Sequence, residues 1–353
     1  MHLEKRSGTS ATAFLLAPLL AVLVTLVISS LLVAWAGAPV GRTWGLLLQG
    51  AFGSVFAWSE TLTRAIPLML TGLAATVAFK ARLFNIGAEG QLYAGALAAV
   101  AVGGLHGTEG LPGPVWVLFP LMMLASAVAG ALLLLGPALM KVRLGVDEVV
   151  TTLLLNFIVL LMVSAMLDGP MKDPTAMGWP QSVALQGELE LTRLIERTRV
   201  HSGLIWALTL ALGLWLVFKY TVFGFDVRAL GSNARAAAFA GVPVTRTVTL
   251  VALLSGALAG LAGAIEVAGR TSYVTLDMSP GYGYSGIVVA MLAGLHPLGV
   301  VAASVFIAGV LVGADSMSRA IGVPTYLADV IVAVSLLCVL VATLLTQYRL
   351  RWR

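Results

Sequence analysis

The sequence predicts an all-α integral membrane protein, a polytopic helical bundle of about ten transmembrane helices with an inverted internal repeat. Three observations carry this. Of 353 residues, 59% are hydrophobic and only 10% are charged, whereas soluble domains carry roughly 25% charged residues. The apolar runs are long and rich in Leu, Ala, Val and Gly, unlike the short alternating strands of a membrane barrel. Two distant regions also share one plan, described below.

The elements follow in order. Lys5 and Arg6 precede an uncharged stretch from Ser7 to Gly41, 35 residues long. That exceeds the apolar region of a signal peptide, so 13–36 is expected to be an uncleaved anchor helix. Further spans fall near 61–80, 88–106, 114–138, 147–168, 203–220, 246–268, 282–295, 298–317 and 325–346. The eighth and ninth share the uncharged stretch from Met278 to Ala314, 37 residues long. One crossing needs only about 20 residues, and His296-Pro297-Leu298-Gly299 supplies the break. The whole of 1–353 is expected to be one transmembrane domain with a core over 60–346, joined outside by the loop 169–202.

An even number of spans puts both termini on one side. Loops on that side carry Lys5, Arg6, Lys80, Arg82, Lys141, Arg143, Lys219, Arg228, Arg235, Arg246, Arg349, Arg351 and Arg353, which is 13 of the 21 basic residues. The positive-inside rule then makes both termini cytoplasmic, in an inner membrane. The net charge of +5 is membrane-flanking Lys and Arg rather than the footprint of a nucleic-acid partner.

Several classes are excluded. Cys338 is the lone cysteine, so no disulfide closes within the chain. His2, His106, His201 and His296 are isolated, without metal-ligand spacing. There is no GxxxxGK[ST], HExxH or GxSxG. No nucleotide, metal or cofactor site is expected in this chain.

The segment from Phe223 to Thr247 is a polar island in an apolar sequence. Asn233 is a good N-cap, Ala234–Ala240 a strong helix former, Gly241 a natural C′ residue, and Pro243 a stop. A helix capped at both ends on the cytoplasmic side, within a loop over 223–246, reads as a docking surface rather than a connector. Phe239 is its obvious hydrophobic knob, and Arg228 and Arg235 flank it.

The internal echo pairs Leu70-Thr-Gly-Leu-Ala-Ala-Thr-Val and Asn85-Ile-Gly-Ala-Glu-Gly-Gln with Leu254-Ser-Gly-Ala-Leu-Ala-Gly-Leu-Ala-Gly and Ser279-Pro-Gly-Tyr-Gly-Tyr-Ser-Gly. The two spans concerned run in opposite directions, as in inverted-repeat transporters. Composition alone makes Gly/Ala-rich helices look alike, and that alternative stands beside it. Around Asn85, Glu89 and Gln91, glycines permit broken backbone that lines a cavity; equally, Asn85 caps a helix whose dipole Glu89 complements. Tyr282, Tyr284 and Ser285 form a kinked helix start suited to a sugar or a base, or an interfacial aromatic belt. Asn156 lies mid-span, bonding a neighbouring helix or lining a path. Glu266 sits near a span end, at the exterior mouth. Gly256/Gly260 and Gly309/Gly313 are close-packing faces.

FNIGAEGQ at 84–91, DEVVTTLLLNF at 147–157, RALGSNARAAAFAGV at 228–242, SGALAGLAGAIEVAG at 255–269 and GYGYSGIVVAMLAGLHPLG at 281–299 resemble the permease subunits of bacterial ABC importers. The group is that for ribose, simple sugars, nucleosides and branched-chain amino acids, and the likeness is strongest to the longer permease of nucleoside-type systems. It covers about 60–345. It implies transport without catalysis, with ATP and Mg on a cytoplasmic ATP-binding cassette ATPase. It implies a second permease, more often a paralogue than an identical copy, and an extracytoplasmic substrate-binding protein, with membrane lipids as a further partner of this chain. It makes 224–242 the coupling helix, with Arg228, Gly231, Asn233, Arg235, Phe239 and Gly241 on it. The substrate path, for a nucleoside or simple sugar, then passes Asn85, Glu89, Gln91, Asn156, Glu266, Tyr282, Tyr284 and Ser285. Ser285 departs from the family, which often has an acid there. An ion-coupled secondary transporter is the alternative; it needs a relay of embedded acids or histidines. A membrane enzyme needs clustered acids, and only Asp147-Glu148 comes close.

Overall fold

The computed structural model describes residues 2–5, 37, 39–105, 110–322 and 348–351, with parts of 23–35 and 330–341. Most of the expected span at 325–346 and half of the expected anchor at 13–36 lie outside the described residues. The helices are α1 (Leu26–Trp35), α2 (Val40–Phe52), α3 (Val55–Lys80), α4 (Ala88–Gly103), α5 (Val115–Leu144) and α6 (Glu148–Asp168). They continue as α7 (Gly203–Tyr220), α8 (Val222–Ser232), α9 (Ala234–Phe239), α10 (Val244–Glu266), α11 (Tyr282–Leu292) and α12 (Pro297–Ile321). Strands β1 (His2–Lys5) and β2 (Tyr348–Arg351) pair antiparallel.

Among the described residues, six helices are long and apolar enough to cross a membrane, or seven if the bent pair α1–α2 is one span. Two expected spans are shorter as helices. The one at 88–106 is α4, 16 residues long, and the one at 282–295 is α11, 11 residues long. Extended Gly104-Leu105 follows α4 and a turn over 293–295 follows α11, apolar backbone that hydropathy alone does not separate from helix. α2 and α8 were not expected. α2 is a short amphipathic helix, and α8 contains Asp226, Arg228 and two glycines, a loop-like composition.

The described residues divide into two compact units, Met1–Leu62 with Val305–Arg353, and Thr63–Ser304. In the first, Val33, Ala314 and Met317 make a small core against Leu46 and Val310. Gly309 and Gly313 form the expected close-packing face. A Cβ on Gly313 would lie 2.4 Å from the Leu47 carbonyl, and one on Gly309 2.5 Å from the Phe52 ring.

In the second unit α4 is the buried centre, packed by α5, α6, α10 and α11. Glycine makes this closeness available. A Cβ on Gly130 would lie 2.2 Å from the Gly256 carbonyl, and one on Gly263 1.9 Å from that of Leu92. With side chains there the helices would have to separate. α6 and α7 keep large apolar side chains such as Phe157, Leu161, Ile205 and Trp206 exposed, as lipid-facing helices do. The loop 169–202 is ordered against the end of α10. Leu191 N–H donates to Ala268 O at 2.7 Å and Leu185 N–H to Ser272 O at 2.7 Å. His201, 1% exposed, fills the space left by Gly203 and Gly269.

Candidate functional site

The site is built where two chain breaks meet. The first is 81–87, between α3 and α4. Arg82 adopts φ +55°, ending α3, and the segment is then held from outside. Lys141 Nζ donates to Arg82 O at 2.7 Å, and Phe84 N–H donates to Glu148 Oε1 at 3.1 Å. Lys141 and Glu148 also form an ion pair. Asp147 caps α6 through Val149 N–H at 2.8 Å. The acids 147–148 are thus a cap and a clasp.

Asn85 does not cap α4 directly; Gly87 occupies that position without a side-chain bond. Instead Asn85 Oδ1 accepts from Gly87 N–H at 3.0 Å and from Gln91 Nε2 at 2.9 Å. Its Nδ2 donates to Gln91 Oε1 at 2.9 Å and to Ser255 Oγ at 3.1 Å. Ser255 hydroxyl in turn donates to Ala74 O at 2.7 Å. Asn156 on α6 accepts from Gly90 N–H at 2.9 Å, a first-turn amide of α4 that has no intrahelical partner. Its Nδ2 donates to Ile86 O at 2.8 Å and to the Tyr284 hydroxyl at 3.0 Å. The small space bounded by Gly87, Gly90, Gln91, Thr152 and Asn156 has no room for a water molecule. These amides bond helices and backbone together in this arrangement.

The second break is a strap over 272–281. A π-turn over Val267–Thr271 ends α10, Ser272 takes φ +61°, and Gly281 takes φ +83° just before α11. The strap is held by Tyr93, whose hydroxyl donates to Leu276 O at 2.5 Å. α11 then starts directly against α4. A Cβ on Gly283 would lie 2.2 Å from Glu89 N, and Gly283 N–H donates to Glu89 Oε2 at 2.6 Å. Glu89, 4% exposed, therefore complements the start of α11 rather than only its own helix. Thr71 hydroxyl on α3 donates to Tyr282 O at 2.9 Å. Tyr282 is 1% exposed and Tyr284 39%; Ser285 is half-buried beside it. Arg270 pairs with Glu266 and reaches the Tyr282 hydroxyl at 3.4 Å.

The structure thus brings Asn85, Glu89, Gln91, Asn156, Tyr282, Tyr284 and Ser285 into one region, with Glu266 joined through Arg270. Sequence reasoning missed Arg270, Tyr93, Thr71 and Ser255. Thr71 and Ser255 had a signal, since each is the polar residue preceding glycine in an echoed segment. Arg270 and Tyr93 had none beyond being polar in apolar surroundings.

The capped helix is present as α9. Asn233 Oδ1 accepts from Arg235 N–H at 3.0 Å and Ala236 N–H at 3.1 Å, and Gly241 takes φ +87°. Phe239 is 97% exposed, and Arg235 is exposed. Arg228 folds back to donate to Phe218 O at the end of α7. Gly231 lies against the last carbonyl of α3: a Cβ there would be 1.9 Å from Lys80 O.

Residues 57–340 match the family described as branched-chain amino acid transport system / permease component. The guanosine ABC transporter permease protein NupP of Bacillus subtilis is 35% identical over 328 residues, 92% of each chain. The glucose ABC transporter permease protein TsgB13 of Haloferax volcanii is 35% identical over 360 residues, 99% of this chain and 93% of its own. The nucleoside ABC transporter permease protein NupB of Lactococcus lactis is 29% identical over 334 residues, 91% and 89%. The buried centre and the exposed capped helix both lie inside the matched stretch, and this chain belongs to the branched-chain amino acid transport system / permease component family, as a permease subunit of an ABC importer.

Proposed function

We propose that this permease moves a nucleoside or simple sugar inward by alternating access, driven by a separate cytoplasmic ATPase that holds ATP and Mg. A paralogous second permease and an extracytoplasmic binding protein complete the transporter. The names of the relatives, for guanosine, nucleosides and glucose, support the substrate class. Both termini face the cytoplasm in this reading. The antiparallel pairing of β1 with β2 supports an even number of spans, for which we keep about ten.

The observation that carries the mechanism is the chain of contact from α9 to the buried centre. α9 presents Phe239 outward, α8 presses Gly231 onto the end of α3, and 81–87 leads from there to Asn85, Glu89 and Gln91. A push on α9 has a short route to the site. Reciprocal bonds support the inverted repeat. Thr71 of the first echo bonds the Tyr282 backbone, and Ser255 of the second bonds Asn85. An inverted pair exchanging equivalent contacts would give this pattern.

Co-purification tests the reading. A soluble P-loop ATPase should accompany the chain, while the chain alone binds no ATP. Nucleoside or sugar uptake in vesicles should require that ATPase. Uptake driven by an ion gradient without it would overturn the proposal.

A further inference from the structure

Glu266 is 1% exposed at the end of α10. Arg270 engages its Oε1, and its Oε2 has no hydrogen-bond partner among the described residues. A buried carboxylate oxygen without a donor is costly and calls for an explanation. Arg270 stands on a π-turn, a distortion frequent at functional sites. The Tyr282 hydroxyl is 3.4 Å from its guanidinium. Arg64 adds a second positive charge acting on Glu266, and Glu89 adds a second carboxylate against α11.

The charges narrow the ligand. A cation meets two arginines, an anion meets two carboxylates, and an apolar solute leaves Oε2 without a donor. A neutral hydroxylated molecule suits all of them. We propose that Glu266, Arg270 and Tyr282 recognise a vicinal diol of the transported solute, one hydroxyl donating to Glu266 Oε2 and its neighbour accepting from Arg270. Ribose and hexoses share this chemistry. The inference rests on the substrate path passing here.

The test is equilibrium binding to the assembled transporter in nanodiscs, without the binding protein, using guanosine, 2′,3′-dideoxyguanosine and glucose. A site built to bond hydroxyls rejects the analogue that lacks them. Guanosine should bind at least about ten-fold more tightly than the dideoxy compound. Glu266→Gln, which keeps the side-chain shape, should bring that ratio close to one, and Tyr282→Phe should lower it. Glucose binding lost in Glu266→Gln would assign the site to hexoses; guanosine binding lost there would assign it to ribosides. An unchanged ratio in a Glu266→Gln transporter that still assembles overturns the diol site and leaves the importer reading intact. If the intact transporter with its binding protein takes up neither guanosine nor glucose, the substrate class fails and the diol site with it.

Discussion

Replacing Gly231 by alanine tests the route from the ATPase to the site. In an isolated helix the change is favourable, since alanine is better than glycine by roughly 0.5–1 kcal/mol. Here the new Cβ would start 1.9 Å from Lys80 O and must retreat beyond 3.0 Å, so α8 shifts by about 1.1 Å. The obstacle is backbone at the end of α3, not a flexible side-chain tip. The steric term, of order 1–3 kcal/mol for overpacking, therefore exceeds the propensity gain. α9 is continuous with α8 through Asn233, so it shifts too. ATP-driven uptake in vesicles should fall about ten-fold or more, since displacements of about 1 Å disrupt aligned machinery. ATPase binding to the exposed face of α9 should persist. Gly213 on α7 is the control, because nothing lies within 4 Å of its Cβ position; Gly213→Ala should transport normally. Full uptake by Gly231→Ala, at normal expression and assembly, would refute the idea that α8 acts through the end of α3.

Three further outcomes are expected. Phe239→Asp should leave insertion intact but weaken ATPase pull-down and abolish coupled uptake, because the side chain is 97% exposed among the described residues. Asn156→Leu should leave Gly90 N–H and Ile86 O without side-chain partners, lowering stability in a detergent melt by roughly 2 kcal/mol or more; a wild-type melt would contradict the network. His201 is held neutral, its pKa pushed down from 6.5 to about 4 by burial. Its Nδ1 accepts from Gly203 N–H at 3.2 Å, and its Nε2 has no partner among the described residues. The unfolded loop takes up the proton first, so this contribution is complete above pH 6.5 and is lost as pH falls toward 4, up to about 3 kcal/mol. Proteolysis of 182–202 should accelerate over that window and flatten in His201→Gln; acid-independent cleavage in the native chain would oppose the assignment.

What was legible in the sequence was local. Asn233, Gly241 and Pro243 act on their own neighbours, so α9 emerged with its caps in place. Long apolar runs likewise announced α5, α6, α7 and α10. Lengths failed where an apolar run contained non-helical backbone. The runs stay apolar past the ends of α4 and α11, through Gly104-Leu105 and Ala293-Gly294-Leu295, where the backbone has already left the helix. α8 escaped notice because its glycines are there for contact: Gly224 faces the end of α7, and Gly231 faces that of α3. The site was half legible. Polar residues in apolar sequence located Asn85, Gln91 and Asn156, but not that Asn85 and Gln91 would satisfy each other while Asn156 bonds Gly90, Ile86 and Tyr284. That depends on partners such as Asn156 and Ile86, 70 residues apart.

The mutual satisfaction of these groups bears on alternating access. Asn85, Gln91 and Asn156 make their bonds across three or more elements, so no helix can leave without exposing donors and acceptors to a medium that cannot solvate them. The cost falls if incoming hydroxyls or water replace the bonds as they break. Motion and substrate entry are then coupled: the path opens where polar partners arrive, and apolar solutes supply none. Glycine contacts set the direction. The α4–α5–α10 seam, closed on backbone atoms at Gly130, Gly256, Gly260 and Gly263, resists separation and moves as a block. By contrast, 81–87 and 272–281 join helices through left-handed residues, Arg82, Ser272 and Gly281, whose dihedrals can change without breaking a helix. In the proposed mechanism the two breaks serve as the hinges, and the polar network between them sets when they turn.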